Sequence, residues 1–111
     1  MLIEVRTDGN IKGSAQSSAE VKAVVHAALD RYGDGIRRVD VHLSDAVGDK
    51  SGQHGKCCMI EARRDGREPI VVTHQESTME QAIHGAIHSL KKSVESALGK
   101  ESTRDHLRDH H

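Results

Sequence analysis

Aromatic side chains are almost missing from this sequence of 111 residues, which has no Phe, no Trp and a single Tyr, at position 32. Leu, Ile and Val together occupy 23 positions, so the core must be small and aliphatic. Large aliphatic residues thus make up about a fifth of the chain, which is close to the composition of disordered chains. Disorder, however, also requires a high net charge. The formal net charge here is −1. We therefore predict one folded domain of modest stability.

Long hydrophobic runs and signal segments are also missing. No apolar run approaches the ~20 residues that a membrane-spanning helix needs, and the start MLIEVR does not have the form of a secretion signal. Cys57 and Cys58 are adjacent, and neighbouring residues of a strand point to opposite faces, so a disulfide between them is not expected. We expect reduced thiols in a cytoplasmic protein without membrane association.

No charge of one sign dominates. Lys and Arg number 16, Asp and Glu number 17, and both signs are mixed along the chain. Strong sequence-independent binding to nucleic acid uses clustered Lys and Arg, so this balance argues against a polybasic binding arm. A basic stripe on one face of the folded domain remains open.

Alternating apolar and polar residues predict four strands, at 2–6, roughly 36–46, 56–64 and 69–74. The dipeptide Asp65-Gly66 predicts a tight hairpin between the last two strands, because glycine readily adopts the positive φ angles of such turns. The glycine-rich segment 48–55 predicts a loop between antiparallel neighbours.

Two amphipathic helices are predicted from capping boxes followed by apolar residues at intervals of three and four. The boxes run from Ser17 to Glu20 and from Ser77 to Glu80. Glycine is typical of helix ends, so the first helix is expected to end at Gly33 or Gly35 and the second at Gly99. Residues 1–99 are thus predicted to form the domain, and residues 100–111 a charged, disordered tail.

The resulting order, β-α-β-β-β-α, predicts an α+β fold with a four-stranded sheet and two helices packed on one of its faces. Strand one is connected to the sheet through a helix, which allows a parallel pairing, and strands two to four form a meander. The other face of the sheet is then bare or serves as a contact surface.

This order, and the segment Thr78-Met79-Glu80-Gln81-Ala82-Ile83 at the start of the last helix, resemble the ribosome hibernation promoting factor and ribosome-associated inhibitor family. The resemblance covers residues 1 to about 100. The positions that match the family's last helix are Met79, Ala82, Ile83, Ile87, Leu90 and Lys92, whereas Glu80 replaces the usual Tyr. The resemblance implies a fold like that of double-stranded-RNA-binding domains, contact with rRNA through basic helix faces, and inhibition without catalysis.

Candidate RNA contacts fall into two groups. The first lies on the helices and consists of Lys22, His26, Arg31, Lys91, Lys92 and Lys100. The second lies around strands two and three and consists of Arg37, Arg38, Lys56, Arg63 and Arg64, with Arg67 in the hairpin. If the helices lie side by side, the first group forms one positive stripe able to span rRNA phosphates. The alternatives are an ordinary solvated helix surface for the first group and salt bridges between strands for the second, with Asp40, Glu61, Asp65 and Glu68 as partners.

Other reactive residues give weaker signals. His84 and His88 share one helix face, but spacing identifies no third metal ligand, and Gly85 stands where the zinc-protease motif requires Glu. One of the two cysteines is expected to fill the core and the other to lie on the exposed strand face. We expect no metal, no cofactor and no enzymatic activity.

Two functions therefore remain. The first is a ribosome-associated factor that binds the small subunit through 16S rRNA and blocks access of tRNA and mRNA during stress or stationary phase. The alternative is a protein-interaction module, such as a homodimer, that keeps the fold but has lost RNA binding and uses the bare sheet face or a strand edge.

Overall fold

The computed structural model describes residues 1–7, 18–45 and 55–108, except for the side chains of residues 33–34 and 100–108. Within these ranges four strands form one sheet: β1 (Leu2–Thr7), β2 (Ile36–Asp45), β3 (Lys56–Arg64) and β4 (Ile70–Glu76). The helices are α1 (Ser18–Leu29), which continues as a 3-10 helix over Asp30–Gly35, and α2 (Met79–Arg108). No helix in the described part of the chain is both long and apolar enough to cross a membrane.

The strands lie in the sheet in chain order, β1-β2-β3-β4. β1 is parallel to β2, with Ile3 opposite Val39, and the pairs β2–β3 and β3–β4 are antiparallel. The predicted α+β fold and the meander of strands two to four are confirmed, as is the hairpin, where Gly66 has a φ of 69°. The 3-10 helix ends at Gly35, one of the two predicted ends of the first helical segment.

The core is a single aliphatic layer between the helices and one face of the sheet. Alternate residues of the two central strands contribute Val39, Val41, Leu43, Cys58, Ile60 and Ala62. The helices contribute Val21, Val25, Leu29, Ala82, Ile83, Ala86, Ile87, Leu90 and Val94. Spacings of two in the strands and of three or four in the helices place all of these side chains on the faces that meet, which is why both kinds of element pack without aromatic residues.

The N-terminus of α2 is capped by Thr78 rather than by Ser77, so the predicted box from Ser77 to Glu80 is wrong by one residue. The Thr78 hydroxyl oxygen accepts a hydrogen bond from the backbone N–H of Gln81 at 3.1 Å, and the Thr78 carbonyl accepts one from the N–H of Ala82 at 3.0 Å. The Ser77 hydroxyl donates instead to Oε1 of Gln81 at 3.2 Å. Thr78 and Gln81 have the same box spacing one residue further along the chain. The box at Ser17 lies outside the described residues.

The sequence predicted that α2 ends at Gly99. In the structure α2 continues to Arg108, so this prediction is wrong. Gly99 is not in the left-handed conformation that ends helices; among the described glycines, Gly66 alone has a positive φ. A glycine inside a helix costs about 1 kcal/mol relative to Ala, and the residues that follow include the good helix formers Lys100, Glu101 and Arg104. The separation of residues 100–111 from the domain remains a prediction.

α2 approaches β4 closely at Gly85. A Cβ atom added to Gly85 would lie 2.1 Å from Cδ2 and 2.7 Å from Cγ of His74, so the imidazole occupies the space of a side chain at position 85. Nε2 of His74 lies 2.6 Å from Oε2 of Glu76, two residues along the same strand. The glycine thus allows the His74 ring to pack against the helix.

Candidate nucleic-acid interface

The helix cations are on the surface, but carboxylates lie among them. Lys22, His26, Arg31 and Lys92 are exposed and Lys91 is half-buried, whereas the side chain of Lys100 lies outside the described part. The acidic residues on the same elements are Glu20, Asp30, Glu80 and Glu95, all exposed. Among the described helical side chains, Lys and Arg are therefore equal in number to Asp and Glu. The predicted positive stripe on the helices remains a prediction.

The two helical segments do lie side by side. α1 contacts α2, and the Tyr32 hydroxyl of the 3-10 helix donates a hydrogen bond of 2.7 Å to Oε2 of Glu95 on α2. The guanidinium of Arg31 lies 5.5 Å from the centroid of the Tyr32 ring. Burial and the Glu95 hydrogen bond raise the pKa of the Tyr32 hydroxyl, so this contact persists at neutral pH.

The strand arginines meet in a groove at the end of the sheet where β2 begins and β3 turns into β4. We call it the arginine groove; its volume is about 540 Å³. Its described lining residues are Leu2, Arg37, Arg38, Arg63, Arg64, Asp65, Gly66, Arg67 and Pro69. Strand register explains the cluster: Arg38 lies opposite Arg63, Ile36 lies opposite Arg64, and the irregularity between Ile36 and Arg38 adds Arg37 on the same end.

Carboxylates on the same strands form ion pairs with two of these guanidinium groups. Arg38 donates from Nε to both carboxylate oxygens of Asp40, at 3.1 and 3.0 Å, and Arg63 lies 3.5 Å from Glu61. These partners lie two residues along the same strand, not on neighbouring strands. The hydrogen bond from Arg38 lowers the pKa of the Asp40 carboxyl and raises the pKa of Arg38, so both remain charged at neutral pH.

Two further arginines are tied to the hairpin. Nη1 of Arg37 lies 3.3 Å from Oδ1 of Asp65 in the turn, and Nη2 of Arg64 donates to the backbone carbonyl of Glu68 at 3.5 Å. The arginine cluster and salt bridges therefore coexist in the structure, but the Arg38–Asp40 and Arg63–Glu61 bridges lie within single strands, whereas the alternative had predicted bridges between strands.

A second groove, of about 400 Å³, lies on the face of the sheet that carries no helix. Its lining residues include Arg6, His42, Met59 and the carboxylates Asp40 and Glu61. Arg38 and Arg63 line both grooves and lie between them. The second groove contains carboxylates on its side of these two arginines. Sequence reasoning missed Arg6; the signal was its alternation with Val5, which places it on the helix-free face once β1 pairs with β2.

Lys56 lies at the other end of β3, away from the arginine groove. Its Nζ forms an ion pair with Asp45, and in the β3–β4 register it lies opposite Glu76. The structure does not bring this predicted RNA contact together with the arginines. The glycine-rich segment 48–55, whose Lys50 and His54 are further possible contacts by sequence, lies outside the described residues up to His54.

The cysteines and the helix histidines differ in exposure. Cys58 is fully buried and Cys57 is half-buried, as predicted from alternation, and burial raises the pKa of the Cys58 thiol to about 12. The Cys58 thiol is therefore protonated and unreactive at neutral pH. His84 and His88 are exposed on α2, and the described side chains include no group of three that could hold a metal ion.

Comparison with known proteins connects this fold to one family. The model of the sigma 54 modulation protein / S30EA ribosomal protein family matches residues 3–102. The chain belongs to this family. The S30EA family is the ribosome hibernation family that the sequence resembles, and it consists of ribosome-associated factors that are not enzymes. The predicted resemblance and the absence of enzymatic activity are confirmed.

Two solved structures show the same S30EA fold. The N-terminal domain of Protein Y from Thermus thermophilus is 25% identical with a TM-score of 0.64, over 85% of this chain and 96% of that chain. A ribosomal subunit interface protein from Coxiella burnetii is 15% identical with a TM-score of 0.65, over 89% of this chain and 99% of that one; this likeness shows the fold alone. A search of curated proteins finds no significant match.

Proposed function

We propose that this protein binds the small ribosomal subunit through 16S rRNA and blocks the access of tRNA and mRNA during stress or stationary phase. Family membership over residues 3–102 carries the proposal, because the S30EA family is ribosome-associated. The cations proposed to contact rRNA are Lys22, His26, Arg31, Arg37, Arg38, Lys56, Arg63, Arg64, Lys91, Lys92 and Lys100. Ribosome association would make the protein cytoplasmic.

Inhibition would be steric. The sheet and its helices enclose one continuous core, so the domain has a fixed shape, and the 30 residues of α2 extend over about 45 Å at 1.5 Å per residue. A body of this length bound at the site of tRNA and mRNA would exclude both ligands without any chemical step. Contacts to phosphates would position it, since phosphate contacts fix orientation on nucleic acid without reading sequence.

The helix-free face supports a second candidate function, a protein-interaction or dimerisation module. Leu2, Met59 and Val71 lie on this face and are 51%, 38% and 54% exposed. Exposed apolar residues on one sheet face are typical of protein contact surfaces. The Arg38–Asp40 and Arg63–Glu61 pairs lie among them, so the face offers both apolar and charged contacts.

Displacement of initiator tRNA tests the proposal. We expect the wild-type protein to co-sediment with purified small subunits and to reduce filter-bound initiator tRNA and mRNA in proportion to its occupancy. The variant Met59→Thr with Val71→Thr removes two exposed apolar side chains and is expected to compete equally well. Co-sedimentation with undiminished tRNA and mRNA binding would contradict occlusion. A wild-type dimer in light scattering that the double variant abolishes, with no binding to subunits, would establish the second function.

A further inference from the structure

We propose that the arginine groove, rather than the outer face of the helices, is the main RNA-contacting surface, and that it binds phosphate groups of duplex RNA without reading bases. This inference rests on the proposed function and names the surface that performs it. The S30EA resemblance implied basic helix faces, so the structure leads to a different distribution of contacts in this chain.

The distribution of charge is the first argument. The groove brings five arginines together near three carboxylates: Asp65 lines it, and Asp40 and Glu61 form ion pairs with Arg38 and Arg63. The arginines therefore outnumber these carboxylates by two. The described helical side chains instead carry as many carboxylates as cations, for example Glu20 near Lys22 and Asp30 beside Arg31. Because affinity for RNA phosphates follows the local density of cations and not the net charge of the chain, the groove attracts phosphates more strongly than the helices do.

The ordering of the guanidinium groups is the second argument. Asp40 accepts three hydrogen bonds from Arg38, so the Arg38 guanidinium group is oriented before a ligand arrives. Pre-oriented guanidinium groups lose less conformational entropy when they bind phosphate. The side chains of Arg37 and Asp65 are 76% and 71% exposed, and so exposed an ion pair contributes little, which allows a phosphate to replace the carboxylate.

The lining of the groove is the third argument, and it favours duplex RNA. Proteins that hold single strands stack bases on aromatic side chains, but the one aromatic residue of this sequence, Tyr32, lies on the helix side and is bonded to Glu95. The apolar lining residues Leu2 and Pro69 offer no ring for a base. Duplex RNA is recognised mainly through phosphates and shape, which matches a groove of guanidinium groups.

Paired neutralising variants test the inference. The groove variant carries Arg37→Gln, Arg63→Gln and Arg67→Gln, and the matched helix variant carries Lys22→Gln, Arg31→Gln and Lys92→Gln. All six residues are exposed, each variant loses three positive charges, and circular dichroism checks the fold. Affinity is measured for purified small subunits and for a labelled RNA duplex of about 16 base pairs, the length that a double-stranded-RNA-binding domain spans.

The groove variant is expected to bind both targets about 1000-fold more weakly, because it removes three cations and each charge-assisted hydrogen bond to phosphate contributes roughly tenfold. The loss of affinity in the helix variant is expected to be at least tenfold smaller than the loss in the groove variant. Equal losses, or a larger loss in the helix variant, would overturn the inference. If the groove variant does not fold, Arg37→Gln alone decides: a tenfold loss supports the groove and an unchanged affinity overturns it.

Three further results separate this inference from its rivals. If a nucleoside triphosphate displaces the labelled duplex at a lower concentration than unlabelled duplex does, the groove is a site for small ligands. That result would overturn the RNA assignment. Wild-type protein that does not bind small subunits would contradict the proposed function. If the wild-type protein and the groove variant bind subunits equally, the role of the groove is contradicted but the proposed function is not.

Discussion

Leu90→Ala is expected to lower the free energy of unfolding by about 3 kcal/mol, within the range of 2–5 kcal/mol for buried Leu→Ala substitutions. Leu90 is 0% exposed on α2 and belongs to the largest fully buried side chains. The buried core residues around it are all aliphatic or small, and Tyr32 packs against them only as a partly buried residue. Because small domains have total stabilities of about 5–15 kcal/mol, a loss of this size removes a large part of the margin.

Urea unfolding followed by circular dichroism measures this loss, since a chain without Trp gives little fluorescence signal. Leu98→Ala is the matched control: it makes the same chemical change in the same helix at a residue that is 38% exposed, and it is expected to cost less than about 1 kcal/mol. Similar losses in the two variants would show that the buried layer does not depend on Leu90 as described.

Gly85→Ala is expected to destabilise the wild-type protein by about 1 kcal/mol and to stabilise the His74→Ala variant by up to about 1 kcal/mol. In the wild type, the added Cβ would meet Cγ of His74 at 2.7 Å, so the ring must turn away from α2 and give up its contact with Glu76. Overpacking of this kind costs about 1–3 kcal/mol, which exceeds the gain of about 1 kcal/mol from replacing a helical Gly with Ala.

A double-mutant cycle isolates this coupling, which we expect to be roughly 2 kcal/mol. In the His74→Ala variant no imidazole meets the added Cβ, so Gly85→Ala changes stability only through helix propensity. The effect of Gly85→Ala on the free energy of unfolding therefore reverses its sign. Thermal unfolding of the four proteins measures it. Stabilisation of the wild type by Gly85→Ala would contradict the close approach of β4 to α2 at this position.

The sequence predicted the sheet well because its signals there are short-range and unambiguous. Strand β3 begins and ends at Lys56 and Arg64, as predicted, and Asp65-Gly66 forms the expected turn. The start of α2 was displaced by one residue because Ser77 and Thr78 are each followed three residues later by Glu or Gln, so the sequence offers two overlapping boxes, and Thr78 is the residue that caps the helix. Its end was misplaced because good helix formers on both sides outweigh the cost of Gly99.

The candidate site was partly predictable. Arg38 and Arg63 were expected near each other because neighbouring strands carry them, and the register places them opposite. The irregularity that brings Arg37 to the same end has no clear signal in the sequence. The orientation of each arginine by a carboxylate two residues along its strand also required side-chain geometry, because spacing alone does not fix which partner a flexible guanidinium group chooses.

Binding of the wild-type protein to purified small subunits, measured over a series of salt concentrations, shows whether cations of this domain grip rRNA phosphates. We expect binding at about 50 mM salt that weakens steeply towards about 200 mM, with a slope of about −3 or steeper in the logarithm of affinity against the logarithm of salt concentration. Such a slope would reflect the release of counterions from at least three phosphates. No binding at the lowest salt concentration, or binding that does not change with salt, would contradict binding to the small subunit through rRNA phosphates.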